Sequence, residues 1–199
     1  MTMKTKILFL DIDNVLNTSP QPDGFYMSTD YESDKLVCPY VPILKDNFNA
    51  LKFIYDNVED LKTVWSTGWR YESGVTWNSW ECPIDWLESV DWLQRSVIGC
   101  TPFKMHIRPE EIYLWLRDNR CSKQSGKKHF DICSYAIVDD YKSPLMDKFG
   151  KHLFNTQYDI GLDMKMARSI AKLLNTESYN EDELVWQEIE DSIKQETAI

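Results

Sequence analysis

The sequence predicts an α/β fold, with a mainly parallel central sheet flanked by helices. Three apolar runs carry the prediction: Lys6 to Leu10, Leu61 to Trp65 and Ser134 to Val138. Each stops abruptly on polar residues, the first on Asp11 and Asp13, the second on Ser66 and Thr67, the third on Asp139 and Asp140. Near-continuous apolar runs suit strands covered on both faces, and apolar residues recur between them at helical spacing. The chain therefore opens as a βαβ unit. Open α/β sheets take their ligands at the carboxyl ends of the strands, where these acids and hydroxyls fall.

After the first strand, residues 18 to 43 hold Pro20, Pro22, Gly24, Pro39 and Pro42 among polar and aromatic residues, which reads as irregular structure. Phe48, Leu51, Ile54, Tyr55 and Val58 then repeat at three- and four-residue spacing and predict a helix leading into the second strand. From Trp69 to Trp92 the chain is rich in Trp, Ser, Glu and Asp, with a short helix expected around Pro83 to Leu93 and a strand at Ser96 to Cys100. Pro109 followed by Glu110 and Glu111 marks a helix start, because proline is tolerated in the first turn and acids favour the positive end of the helix dipole. Ile112, Trp115 and Leu116 would face the sheet. Asn119 to His129 is polar and locally basic, an expected exposed loop, and His152 to Asn155 a fifth, short strand.

Met166, Ala167, Ile170, Ala171 and Leu174 share one face of a helix expected over Asp163 to Leu174. Asn180 followed by Glu183 resembles a capping box that opens a last acidic helix, within residues 177–199. Its apolar face, with Val185, Trp186, Ile189 and Ile193, must pack on its own domain or on a second copy, so the chain is expected to be a monomer or a homodimer.

At 199 residues the chain suits a single domain spanning residues 1–199. No apolar run approaches the ~20 residues that cross a bilayer. The amino terminus lacks the long apolar segment of a signal peptide, so no membrane partner and a cytoplasmic location are expected. Cys38, Cys82, Cys100, Cys121 and Cys133 are scattered without a Cys-x-x-Cys pair, which argues for reduced structural thiols over a disulfide framework or a zinc site. A formal charge of −10 disfavours broad, non-specific binding to nucleic acid, which depends on neutralising many phosphates. A small phosphorylated substrate held at a local cationic spot fits that charge better.

Two carboxylates one residue apart at the end of a buried strand suit a nucleophile beside an acid/base. The run Asp11-x-Asp13-x-Val15 resembles the first motif of the haloacid dehalogenase (HAD) superfamily of phosphotransferases. The strand ending on Ser66 and Thr67 is similar to the second HAD motif, Lys104 and Arg108 stand where the third supplies its cation, and Asp139-Asp140 is similar to the fourth. The runs LFLDIDNVLN, WSTGWR, RPEEIYLWL and VDDYKS look like the small HAD phosphatase-like domains of bacteriophage genomes and RNA-repair proteins.

The resemblance, over roughly residues 5 to 175, implies a HAD-like Rossmannoid fold with residues 18–43 as a flap or cap insert. It implies that Asp11 is the nucleophile and a ligand of Mg²⁺, and that Asp13 protonates the leaving group, then activates water, with its backbone carbonyl on the metal. Thr67 or Ser66 would bind a phosphoryl oxygen; Thr67 is favoured because Gly68 then lets the backbone approach the phosphate. Lys104 offers a point charge and Arg108 a two-pronged grip, so both stand as the cation. Asp139 would be a direct metal ligand, and Asp140 a ligand through water or an orienter of the cation. Asn14 stands where many HAD relatives carry glycine, and asparagine tolerates left-handed backbone better than most residues.

Tryptophans 65, 69, 77, 80, 86 and 92 are dense. Most are expected in packing; Trp69 and Arg70, directly after the hydroxyl, are the candidates for contacting substrate. Lys123, Lys127, Lys128 and His129 form a basic patch, and Gly126-Lys127 is not a P-loop, since Cys121 occupies the place of its first glycine. The function expected is Mg²⁺-dependent phosphomonoester hydrolysis through an aspartyl-phosphate, on small substrates with nucleotides ahead of sugars, in a host cytoplasm if the chain is phage-encoded. A polynucleotide end-phosphatase is the enzymatic alternative. A HAD-fold binding or regulatory protein without catalysis is the rival from another class.

Overall fold

In the computed structural model, residues 4–18, 36–38, 41–71, 83–102, 107–119 and 130–176 are described, with residues 191 and 194. Five strands form one parallel sheet: β1 (Lys4–Leu10), β4 (Leu61–Trp65), β5 (Val97–Cys100), β6 (Asp131–Asp139) and β7 (Leu153–Asn155). They lie in the order β5-β4-β1-β6-β7, so the strand that opens the chain is the central one.

Each strand of the centre is apolar on both faces because helices cover both. Ile7, Phe9, Val64 and Ile137 pack on one side with Ile112, Trp115 and Leu116 of α4 (Arg108–Asn119). Leu8, Leu10, Ala136 and Val138 pack on the other, against α1 (Lys45–Asn57) and α6 (Met164–Thr176). The helical periodicities turn the expected residues inward: Leu51 and Ile54 on α1, Ala167, Ile170 and Leu174 on α6. Asp163 starts α6 by accepting the Met166 amide on its side chain at 2.6 Å.

Three local features differ from the expectation. The stretch read as irregular, residues 18–43, holds most of an antiparallel pair, β2 (Leu36–Cys38) and β3 (Val41–Leu44), which leads directly into α1. The helix expected over Pro83 to Leu93 is two short ones, α2 (Pro83–Glu88) and α3 (Asp91–Gln94). Ser89 Oγ donates to the Trp86 carbonyl at 2.6 Å and Val90 is extended, so a serine competing for helix carbonyls breaks the run. A further short helix, α5 (Pro144–Asp147), follows β6; Ser143 caps it through the Met146 amide, with Pro144 in its first turn. Among the described residues no helix is long and apolar enough to cross a membrane.

Gly161, ahead of α6, has φ +68°, and a Cβ placed there would lie 2.2 Å from Asn47 Nδ2 and 2.6 Å from the Val15 carbonyl. Gly161→Ala is expected to cost about 2 kcal/mol or more, from left-handed strain added to the clash, read as a lowered denaturation midpoint with an unchanged slope.

Candidate active site

The carboxyl edge of the sheet gathers the polar groups. Leu10 pairs with Trp65 on one side and Val138 on the other. One residue on, Asp11 is flanked by Ser66, whose amide donates to Leu10 O at 2.9 Å, and by Asp139, while its own amide donates to Val138 O at 3.0 Å. Phe9, Val64 and Ile137 face α4, so by the two-residue period Asp11, Ser66 and Asp139 face it too. Arg108, the first residue of α4, sits over them: its Nη2 lies 3.3 Å from Asp11 Oδ2 and its Nε 3.1 Å from Asp139 Oδ2. A cation is unfavourable at a helix amino terminus. Here the cost is offset by Asp11, Asp139, buried Glu111 and Asp140, which hold the guanidinium above its ordinary pKa although burial alone would lower it.

Beyond Asp11 the chain makes one tight turn, in which the Ile12 carbonyl takes the amides of Val15, Leu16 and Asn17 at 3.2, 2.9 and 3.3 Å. Asn14 is left-handed, φ 54°. Its amide donates to Asn17 Oδ1 at 2.9 Å and its side chain to Asp140 Oδ2 at 2.8 Å, while Asn17 Nδ2 donates to Asp13 Oδ1 at 3.0 Å. An asparagine in a glycine-like position thus also holds an acid on the neighbouring strand. Asn14→Ala is expected to be about 1 kcal/mol less stable than Asn14→Gly, because only the former strains the backbone. Both release Asp140 and so should weaken alike the binding of any divalent metal that the acidic cluster holds, measured by denaturation and by metal titration of the same samples.

The second loop follows β4. Thr67 is fully buried and hydrogen-bonds Asp11, and its Oγ1 accepts the Trp69 amide at 3.4 Å. Ser66 is also buried, and its Oγ has no hydrogen-bond partner among the described residues. Gly68 opens a 3-10 turn (Gly68–Tyr71) and a Cβ there would meet nothing within 4 Å, so the fold itself makes no demand for glycine. Trp69 turns its indole to Asp13, with Nε1 2.9 Å from Oδ1 and 3.0 Å from Oδ2. Arg70 belongs to the same turn, with its side chain outside the described residues. Lys104, Trp77, Trp80, the basic stretch from Lys123 to His129 and the acidic helix expected after residue 177, apart from residues 191 and 194, also lie outside them. Trp65 donates to Glu88 at 2.8 Å, and Trp86 and Trp92 pack on Phe48, so these three serve the scaffold.

Asp11, Asp139 and Asp140 each offer one oxygen, all within 4.8 Å of one another. Burial pushes Asp11 up to about 6, with Asp13 adding to the rise and Arg108, the Ile12 amide and Thr67 opposing it. Asp139 is raised well above the usual carboxylate range, again by burial first and then by Asp11. Burial therefore outweighs Arg108 at both acids. Asp139 Oδ1 accepts the Tyr141 amide at 2.8 Å, whereas its Oδ2 makes no aligned hydrogen bond. Arg108 Nη1 is likewise buried without a hydrogen-bond partner among the described residues. Buried polar groups are normally satisfied, so orphans gathered around one carboxylate mark a place for an external ligand. The sequence did not lead us to expect a role for Asn17, the Asn14–Asp140 contact or the Trp69–Asp13 contact; no local pattern encodes a side-chain bond between distant segments.

A parallel sheet with this strand order, acids on two adjacent central strands, hydroxyls on the third and an arginine over them defines a HAD-type domain. The family model described as the HAD domain in Swiss Army Knife RNA repair proteins matches residues 7–167, and the chain belongs to this family. No match was found among curated proteins or among solved structures.

Proposed function

We propose that the protein is a Mg²⁺-dependent phosphomonoester hydrolase that works through an aspartyl-phosphate on Asp11, acting on nucleotides or similar phosphorylated molecules. The observation that carries this reading is the surround of Asp11: Arg108 and Thr67 touch it, and Asp13 follows on the same turn. An Asp11 oxygen attacks phosphorus, the bond from phosphorus to the leaving oxygen breaks, and Asp13 gives that oxygen a proton. Asp13 then takes a proton from water, whose oxygen attacks the phosphorus; phosphate leaves and the Asp11 carboxylate is restored. Arg108, Thr67 and Ser66 hold the phosphoryl oxygens, Arg108 and Ser66 each having a buried donor to spare.

Asp11, Asp139 and Asp140, with the Asp13 carbonyl, would hold the metal. The donor set fits, being all hard oxygen with Asp139 Oδ2 lacking a hydrogen bond. Bound Mg²⁺ supplies charge neutralisation, favouring the ionised acids and polarising the phosphoryl group.

A second reading, hydrolysis of a phosphate at a polynucleotide end, is favoured by the association of the family with RNA repair. One assay separates the two: phosphate release from nucleoside monophosphates, sugar phosphates and end-phosphorylated oligonucleotides, with Mg²⁺ or chelator, beside Asp11→Asn. Metal-dependent release that disappears in the variant supports the hydrolase and selects its substrate class. No release from any substrate by folded, metal-loaded protein overturns it in favour of a binding role.

A further inference from the structure

We propose that Trp69 is a positioning residue for Asp13, and that its indole N–H, together with the Asn17 amide on Oδ1, leaves Oδ2 as the oxygen through which Asp13 exchanges its proton with the leaving group. This rests on the phosphohydrolase reading above.

The indole nitrogen is almost equidistant from the two carboxylate oxygens, at 2.9 and 3.0 Å, so its N–H points between them. Asn17 Nδ2 adds a second donor, at 3.0 Å, to Oδ1 alone. The orientation of that amide is not free: Asn17 Oδ1 accepts the Asn14 amide, which can only donate, so the amino group must face Asp13. Each carboxylate oxygen offers about two acceptor sites. Oδ1 is filled by Trp69 and Asn17, whereas Oδ2 keeps one site open among the described residues.

Both donors are neutral and donate only, so neither can take the proton that Asp13 must pass on. In the first step that proton goes from Oδ2 to the leaving oxygen as its bond to phosphorus breaks.

The tryptophan is well placed to act as a rigid brace. Its ring packs against the core on the α1 and α6 side of the sheet, and its backbone amide bonds Thr67 Oγ1. One turn therefore carries both the hydroxyl beside Asp11 and the brace for Asp13, and the relative placement of phosphate donor and acid is set by a single short segment. A loosened carboxylate would act as a weaker acid catalyst, since proton transfer depends on hydrogen-bond reach. The loss should be visible only where the leaving group needs a proton.

The test compares wild type with Trp69→Phe on phenyl phosphate and p-nitrophenyl phosphate with Mg²⁺. The two substrates share a ring, but the nitrophenolate leaves readily without a proton. The quantity read is kcat/KM, which covers the steps up to the aspartyl-phosphate.

The expected result is a loss of about tenfold or more on phenyl phosphate and of less than about threefold on p-nitrophenyl phosphate, part of the 10²- to 10⁴-fold span of acid catalysis. Equal losses on both substrates, or no loss on either, overturn the assignment while leaving the hydrolase in place. Wild type inactive on both these and the wider panel overturns the two together. Benzothienylalanine at position 69, which keeps the shape of the indole and removes only its N–H, should reproduce the leaving-group difference; it decides the matter if the phenylalanine variant melts early.

Discussion

Asp11→Asn is expected to lose about 10⁴-fold or more in turnover and, in the absence of metal, to be more stable than wild type above pH 6. The first effect follows from the nucleophilic role proposed for Asp11. The second follows from burial, which raises the Asp11 carboxyl from 3.8 to about 6. A carboxyl raised on folding favours the folded state while it is protonated. That contribution is complete below the unfolded value near 4 and is lost as pH rises through about 6. Its size is about 3 kcal/mol, since each tenfold gain in proton affinity on folding is worth about 1.4 kcal/mol. Asp139 is shifted in the same direction and adds to the loss. Thermal melts in chelator from pH 4 to 8 should show wild type falling with pH and Asp11→Asn falling much less, so that the curves cross. Mg²⁺ should restore wild type at pH 7.5 and leave the variant nearly unmoved. Parallel curves would mean that Asp11 is not held protonated by its surroundings.

Arg108→Lys is expected to reduce kcat/KM about 10²- to 10³-fold while raising the affinity for Mg²⁺. Arg108 spans two carboxylates through different nitrogens, Nη2 to Asp11 and Nε to Asp139. Lysine has a single head on a flexible stem and cannot reproduce that fork. It also competes less for the carboxylates that would hold the metal, which is why binding and turnover should move in opposite directions. Arg108→Ala takes this further. It leaves two buried acids facing each other, and breaking a buried pair in this way costs about 3 kcal/mol or more in the metal-free protein. Calorimetric titration with Mg²⁺ beside the kinetics of the same preparations checks the opposition. A variant that loses affinity and turnover together would show instead that Arg108 organises the metal-binding carboxylates.

The strands at the centre of the sheet were legible because a buried parallel strand needs apolar residues on both faces, and Ile7 to Leu10 and Ala136 to Val138 have little else. The faces of α1, α4 and α6 were legible for the same reason: Leu51, Ile112 and Ile170 repeat at helical spacing. Asn14 was recognised as a residue able to replace glycine, since its backbone requirement is local. Its bond to Asp140 was not, because that partner is 126 positions away and no periodicity reports on it. Trp69 was placed beside the site by its position after Thr67. The use of its edge, on Asp13, depends on the 3-10 turn at Gly68–Tyr71, which composition does not announce. The break between α2 and α3 escaped because Ser89 acts through hydrogen bonds from its hydroxyl and amide to Trp86 O, an event invisible to hydrophobic spacing.

The turn after β1 is not held by its own hydrogen bonds alone. The Val15 carbonyl accepts both Asn47 Nδ2 at 3.0 Å and the Leu162 amide at 2.8 Å, and the Leu16 carbonyl accepts the Leu44 amide at 2.9 Å. Two remote parts of the chain, the junction of β3 with α1 and the approach to α6, thus supply donors that shape a segment of a few residues. The acidic signature is consequently not portable: grafted onto another parallel sheet without those donors, Asp11 and Asp13 would keep their spacing in sequence and lose their relation in space.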